Sequence, residues 1–376
     1  LGQGVKHLAV KARSDIACAR LSEGMMVFWC GDRPIGDIIV HEGRVEKSRI
    51  EHIDANFISE INAERETLVR PACSASVVIC TRDRPAELRV CLSSLPLQTY
   101  PPGEIIVVDN ASKDARTREV ALAAGVTYLR EERPGLDIAR NTGALRATGD
   151  IVAYTDDDVL LHPCWLERLV GAFDKPEIAA VTGLVLPAEL ETEAQRHFET
   201  YWGFNKGYKQ KDIDAETFRS FRGRAFPAWE IGAGASMAFR REAFQNVGLF
   251  DERLDVGQAG CSGDSEYWYR LLAHGHTCRY APSSVAFHFH RRTMEGLSNQ
   301  IYYYMRGHAA ALMVQHERTG IKANRLQAYY HLPRWYMGRV FRSACAKTRA
   351  DDLFLKEEIA GYLAGLRFYH NERRGK

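Results

Sequence analysis

The run Tyr154-Thr155-Asp156-Asp157-Asp158-Val159 sets three carboxylates side by side. Neighbouring carboxylates repel, and each raises the pKa of the next. A divalent cation among them removes that cost, and oxygen ligands suit hard ions such as Mg²⁺ and Mn²⁺. The competing reading is a solvated acidic turn, or an N-cap before Trp165-Leu166, and the triplet alone does not choose. Two other groups could do chemistry. Asp264 follows a glycine-rich loop (Gly257, Gly260, Gly263) and opens the helical pattern of residues 267–274. A carboxylate at a helix N-terminus is held ionised by the free N–H groups and the dipole, so Asp264 is either a plain N-cap or a general base. His288 and His290 lie two apart in the strand-like run 285–292, which turns both imidazoles to one face, where they can meet a metal or a phosphate. Any one histidine is more often structural.

The elements around these residues alternate. Ser76–Cys80, Glu104–Asp109, Val126–Leu129 and Gly149–Ala153 are short apolar runs that predict buried strands. Between them, residues 86–95, 117–124 and 136–147 carry helical spacing, with Gly125 as a C-cap. Strands alternating with helices imply a parallel, doubly wound sheet, whose ligands bind at the strands' carboxyl ends. Thr81–Arg84, Asp109–Ser112 and Asp156–Asp158 all fall at such ends. Neither GxGxxG nor GxxxxGK[ST] opens a helix, so a nucleotide bound here is organised by carboxylates and metal rather than by a glycine loop. Further on, residues 165–173 predict a helix, 179–185 a strand, and 232–239 a small-residue stretch that lets backbone approach a ligand closely. Residues 189–229 are polar and aromatic. They read as a substrate-facing or mobile segment, although each aromatic taken singly is more often core.

Three regions follow: an accessory element (1–72), a central α/β domain (73–292) and a helical region (293–376). The first contains a hairpin (25–30 and 35–40) and a helix (56–68), and it shows no chemistry of its own. In the last, residues 324–345 mix arginines with Tyr329, Tyr330, Trp335 and Tyr336. Such a face can lie on anionic lipid, but packing against the domain is the favoured expectation. A net charge of +2 over 376 residues gives no field that would attract nucleic acid. Nine scattered cysteines without a CxxC pair fit a reducing compartment better than a disulfide framework. No apolar run reaches the length of a membrane span and no signal-peptide pattern appears. A cytoplasmic place is expected, with peripheral contact at the inner face of the membrane as its variant.

Taken in order, these motifs resemble family 2 glycosyltransferases with the GT-A fold. The resemblance runs from about Ser74 to Arg292. It rests on Val77-Val78-Ile79-Cys80-Thr81-Arg82-Asp83-Arg84, Ile106-Val107-Val108-Asp109-Asn110-Ala111-Ser112, Arg133-Pro134-Gly135-Leu136 with Ala139-Arg140-Asn141, Asp156-Asp157-Asp158, Gly263-Asp264-Ser265-Glu266 and His288-Phe289-His290. It implies an inverting transfer of one sugar from a nucleotide-sugar, most simply UDP-linked, to an acceptor hydroxyl on a glycan, a lipid-linked glycan or a small molecule. Thr81, Asp83, Asp109 and Arg140 would contact the nucleotide, with Asp109 reading the base. Asp156 would sit near the ribose, Asp158 would bind Mn²⁺ or Mg²⁺, and Asp157 could share either task. His288 or His290 would complete the metal or diphosphate site. Asp264 would be the catalytic base, with Glu266 as a less well aligned rival, because the glutamate that commonly precedes the base is here Gly263. No Gln-x-x-Arg-Trp element is present, which argues against the processive branch. The alternatives are a nucleotidyltransferase, whose glycine- and arginine-rich signature is missing, and a catalytically inactive binding module.

Overall fold

The computed structural model describes residues 4–66, 73–221, 223–345 and 349–374. The chain first forms a small sheet in sequence order, from β1 (Val5–Ala9), β2 (Gly24–Cys30), β3 (Arg33–His41) and β4 (Arg44–Ser48). The expected hairpin is β2 and β3, and β1 and β4 extend it on either side. Both hairpin strands are buried almost throughout, because each face of the sheet is covered. Phe57, Ile58 and Ile61 of the helix Ala55–Glu66 cover one face. On the other, Met25, Val27 and Trp29 pack against Leu184, Leu186 and Val285 of the main sheet. The expected helix end at residues 67–68 lies outside the described residues.

The main sheet comprises β5 (Ala75–Thr81), β6 (Glu104–Asn110), β7 (Thr127–Glu131), β8 (Ile151–Asp156), β9 (Val159–Leu161), β10 (Ile178–Pro187), β11 (Lys211–Ile213), β12 (Ser236–Arg240) and β13 (Thr277–His288). Its order is β11-β13-β10-β12-β8-β5-β6-β7, with β9 paired on β13. Strands β7, β6, β5 and β8 are parallel, as the alternation predicts. The departure is β12, which runs antiparallel between β8 and β10, while β9 and β11 are antiparallel partners of β13. The sheet is therefore mostly parallel rather than wholly so. An apolar run covered on both faces reads alike in either direction, so the sequence carries no signal for this reversal.

Side-chain alternation divides the core into two layers. Val77 and Ile79 join Leu88, Leu92, Trp165 and Leu169 on one face of the sheet. Val78 and Cys80 join Ala139, Tyr154, Tyr267 and Trp268 on the other. Trp165 is fully buried, and its indole N–H donates to Ser236 Oγ at 2.9 Å. Truncating such a side chain typically costs about 3–5 kcal/mol.

Residues 189–229 are largely structured. They form the helix Glu193–Tyr201, strand β11 and the helix Ala215–Ser220, and Phe198, Tyr208, Phe218 and Phe226 are buried. Tyr201, Phe221 and Trp229 remain exposed. The C-terminal region pairs the helix Met294–Thr319 with Leu355–Arg374. The two approach closely because Gly361 and Gly365 face the backbone of Tyr302 and Arg306, where a Cβ would collide with carbonyl oxygen. The nine cysteines are all free thiols.

Candidate active site

The register of the sheet brings the polar strand ends to one level. Thr81 pairs with Asp109 across β5 and β6, and Cys80 pairs with Asp156 across β5 and β8. β13 points the same way as β10, and its last residue, His288, stands opposite Val159 of β9, one residue past Asp158. The backbone N–H of Phe289 donates to the Asp158 carbonyl at 3.0 Å, which locks the two segments together. Four chain segments thus converge on one rim.

Within the triplet the carboxylates have different partners. Asp157 is buried and accepts from Thr81 Oγ1 at 2.7 Å and from Arg84 Nη1 at 2.6 Å. Asp158 is buried, accepts from Arg84 Nη2 at 2.8 Å and faces His288 Nε2 at 3.3 Å. Asp156 stays partly exposed. Burial raises Asp156 above the usual carboxylate range, and repulsion from Asp158 adds to it. Burial also raises Asp157, against the pull of Arg84. Asp158 goes the other way: burial would raise it, but His288 and Arg84 outweigh that and hold it low. Burial pushes His288 itself down to about 4, so its ring is neutral near pH 7 and the arginine is the cation that keeps Asp158 ionised.

One ligand atom each from Asp156, Asp158 and His288 lie within 4.8 Å of one another. Two carboxylates and a neutral imidazole are a donor set that fits Mg²⁺ or Mn²⁺. His290 is not in this group. Its Nδ1 lies 2.9 Å from His288 Nδ1, and its Nε2 lies 3.3 Å from Glu199 Oε2. Both ends of that chain meet a carboxylate, which only accepts, but the Glu199 contact has hydrogen-bond geometry and the Asp158 contact is an ion-pair approach alone. This supports the direction in which His290 Nε2–H donates to Glu199 and His290 Nδ1 accepts. In that direction His288 carries its proton on Nδ1, which frees the Nε2 lone pair beside Asp158. Glu199 is in turn approached by Arg49 at 3.8 Å, and Arg49 donates to the fully buried Asp37 of β3 at 2.8 Å. The small N-terminal sheet, for which no chemistry is expected, therefore ends a buried polar chain that begins at the acidic rim.

The second cluster surrounds Arg140. Its Nη1 donates to Asp137 Oδ1 at 2.9 Å and to Asp255 Oδ2 at 2.6 Å. A Cβ added to Gly234 would lie 2.9 Å from Arg140 Nη2 and 3.0 Å from Asp264 Oδ2, so a glycine there lets the guanidinium and the carboxylate face one another. Asp264 is not the N-cap. The helix Gly263–Ala273 is preceded by Ser262 in the left-handed region (φ 74°), and Asp264 sits in the first turn, accepting from Ser265 N–H at 2.6 Å. Burial raises its pKa while Arg140 pulls it back, so the helix end is not the dominant influence that position alone suggested. Glu266 is fully buried and held by Arg270 at 2.7 Å and 3.0 Å.

The remaining expected residues are spread along the same rim. Asp109 is buried and accepts from Tyr128 OH, Arg130 Nη1 and Ser112 N–H at 2.8, 3.1 and 3.1 Å. Asp83 is exposed with a positive φ of 56°, and its carboxylate caps Lys113 N–H at 2.7 Å. Sequence reasoning did not single out Arg84, Asp137, Asp255 or Glu199. Arg84 lies in the expected loop after β5, but its partnership with two of the three aspartates has no signature in spacing. Asp137 explains the glycine at 263. A Cβ there would fall inside the Asp137 carboxylate, so the space next to the candidate base is taken by an acid from another helix.

Residues 76–248 match the model described as glycosyl transferase family 2. The pre-mycofactocin glycosyltransferase of Mycobacterium tuberculosis is 28% identical over 246 residues, which are 64% of this chain and 48% of that protein. The chain thus spans about half the length of that relative. Glycosyltransferase AglE of Haloferax volcanii is 26% identical over 233 residues, 60% of this chain and 70% of AglE. Among solved structures, the mannosyltransferase PcManGT of Pyrobaculum calidifontis, in complex with GDP-Man and Mn²⁺, has a TM-score of 0.54 at 18% identity, covering 82% of this chain and 94% of that one. At that identity the likeness speaks for the fold.

Proposed function

The chain belongs to glycosyltransferase family 2 and has its GT-A fold, and from that membership we propose that it moves one sugar, with inversion, from a nucleoside diphosphate donor to an acceptor hydroxyl. The observation that supports this reading is the nearness of the Asp156, Asp158 and His288 cluster to the Arg140–Asp264 cluster, whose charges act on Asp156. Asp156, Asp158 and His288 would hold a Mn²⁺ or Mg²⁺ ion, which when bound supplies Lewis acidity to a diphosphate leaving group. His290 belongs behind His288 as its support rather than as a ligand. Thr81 and Arg84 hold the triplet in register, and Arg84 is a cation that a diphosphate could draw from Asp157 and Asp158. Asp109 and Asp83 line the nucleotide end of the rim.

Asp264 is the base. An acceptor hydroxyl attacks poorly unless its proton is removed as the bond forms, and a base with a pKa nearer neutrality does this better than an ordinary carboxylate. Burial raises Asp264 toward that range, and Arg140 keeps it ionisable. One carboxylate on the acceptor side and a metal on the leaving-group side suit a single in-line displacement, which inverts the anomeric carbon. UDP-linked sugars are the first donors to test. GDP-mannose follows because PcManGT is in complex with it.

The test is incubation with a panel of UDP-, GDP- and other nucleotide-sugars plus Mn²⁺, scoring the nucleotide released. Release of a nucleoside diphosphate from one donor, dependent on metal, is expected. Pyrophosphate release would instead make the chain a nucleotidyltransferase, and no turnover or binding of any donor would favour the inactive binding module.

A further inference from the structure

The helical stretch from Lys322 to Ala344 presents a surface that the proposed reaction does not use. Residues 322–345 contain Lys322, Arg325, Arg334, Arg339 and Arg342 and not one aspartate or glutamate. The expectation that this face packs on the domain holds for one side only. Leu332, Tyr336 and Arg339 of the helix Leu332–Ala344 point inward, and Arg339 is spent on Asp352 and Glu358 at 2.5 and 2.6 Å. The opposite side is open. Met337 is 64%, Val340 48% and Phe341 71% exposed, and they fall on one side of the helix with Arg334 beside Phe341; Arg342 follows, and Trp335 lies beyond it, with the Arg339 guanidinium over its ring at 4.6 Å. Among the described residues neither Arg334 nor Arg342 makes an ion pair. Val340 also borders an open groove of about 600 Å³, whose floor includes Leu353, Ile359 and Leu363 of the neighbouring segment.

We propose that this face docks on an anionic lipid surface, with the helix Leu332–Ala344 lying in the plane of the headgroups. A helix that carries Met337, Val340 and Phe341 on one side, with Arg334 at its edge and Arg342 next to it, buries its apolar side at the headgroup boundary and keeps the guanidinium groups on phosphate. The positive sign of the stretch itself selects the occupant, because Asp352, which also borders the groove, is already paired with Arg339, its pKa lowered further by Arg342. A protein partner matched to this surface would have to supply all the acid, whereas an anionic bilayer supplies it at every position. Among the described residues no helix is long and apolar enough to cross a membrane, so the contact is peripheral to that extent. It rests on the surface alone and not on the reading of the sugar-transfer site.

The experiment is co-sedimentation of the full chain with phosphatidylcholine vesicles, either pure or containing about one third phosphatidylglycerol. The wild type should sediment with the anionic vesicles and not with the neutral ones, and raised salt should release it. Each arginine near such a surface is worth about fivefold in partitioning, so Arg334→Gln with Arg342→Gln should weaken binding about 25-fold. Met337→Ser with Phe341→Ser should also release the protein, with unchanged circular dichroism and thermal midpoint because these side chains are already 64% and 71% exposed. Equal sedimentation with both vesicle types, no sedimentation of the wild type, or full binding by both double variants would each overturn the proposal. So would a wild-type dimer that ignores vesicles and that Met337→Ser with Phe341→Ser dissociates, since the face would then belong to a protein interface.

Discussion

Replacing Glu199 by glutamine should reverse the hydrogen-bond direction along the chain that ends at His288. In the wild type, Glu199 Oε2 faces His290 Nε2 and Oε1 faces Arg49. A glutamine in the same place turns its amide oxygen toward the Arg49 guanidinium, which only donates. Its NH₂ group then falls on His290 Nε2. That nitrogen must become the acceptor, so His290 carries its proton on Nδ1, and the 2.9 Å contact forces His288 to accept there. His288 is left with a proton on Nε2, the atom that faces Asp158 at 3.3 Å, and its lone pair is lost to a metal. Loss of a supporting partner behind a ligating histidine typically costs 10–100-fold in metal affinity, which is about 1.4–2.7 kcal/mol. Calorimetric titration of wild type and Glu199→Gln with Mn²⁺ measures the loss. Nitrogen-15 NMR of the metal-free proteins reads the tautomers directly, and circular dichroism shows whether the buried substitution is folded. A folded variant that binds Mn²⁺ as well as the wild type, or that keeps the His288 proton on Nδ1, would refute both the direction of the chain and the role of Glu199.

Asp264→Asn should lower the transfer rate by about 10²–10⁴-fold while nucleotide affinity, measured by calorimetry, stays within a factor of about two; near-normal turnover would remove Asp264 as the base. Asp251 carries a pH-dependent share of stability. Burial would raise it, but Arg253 at 2.8 Å and Arg318 at 2.8 Å outweigh that and depress it. A depressed carboxylate contributes fully above its unfolded pKa of about 3.9 and loses the contribution as pH falls through the folded value. Asp251→Asn should therefore cost about 3 kcal/mol at pH 7, with the same deficit at about pH 5 and a shrinking one below about pH 4; denaturant titrations at the three pH values would show it, and a deficit that grows in acid would contradict the sign. Gly263→Ala should destabilise by about 1–3 kcal/mol through overpacking against Asp137, and adding Asp137→Ala should recover part of that loss in a double-mutant cycle. Strict additivity in thermal or denaturant unfolding would mean that the two positions do not compete for the same space.

What could be read from the sequence and what could not divide along a physical line. The parallel half of the sheet and the rim at Thr81, Asp109 and Asp156 were legible because each strand announces itself within about six residues and the polar cluster follows it directly. Asp158 and His288 could be paired only through the family resemblance. Their approach depends on β9 turning back onto β13, and a three-residue strand has too little pattern to reveal that. Asp264 was singled out by its loop and helix, while its burial and the Arg140 beside it, which lies on another helix, left no mark in the local sequence. The reversed β12 was hidden because a covered strand carries no mark of its direction.

Glu199, Arg49 and Asp37 were out of reach for a different reason. Each is an ordinary residue in an ordinary element, and only the packing of the N-terminal sheet onto β10 and β13 gives them their task. Asp37 and Glu199 are both fully buried carboxylates, and a buried charge is retained only where a partner offsets its desolvation. Arg49 is that partner for Asp37 at 2.8 Å and stands 3.8 Å from Glu199. Tyr208 and Asn205, from the segment that read as substrate-facing or mobile, complete the cage with donors to Asp37 at 2.7 and 3.2 Å. Lys47 adds two donors to the carbonyls of Glu199 and Thr200, at 3.2 and 2.8 Å. The helix Glu193–Tyr201 is therefore fixed at its end by residues lying before the family domain. Position 199 is tied to the N-terminal sheet by Lys47 and Arg49, and in the proposed hydrogen-bond direction the acceptor there sets the proton on His290 and so the free lone pair on His288. The element without chemistry of its own thus reaches, through Glu199 and His290, the histidine that belongs to the proposed cation site.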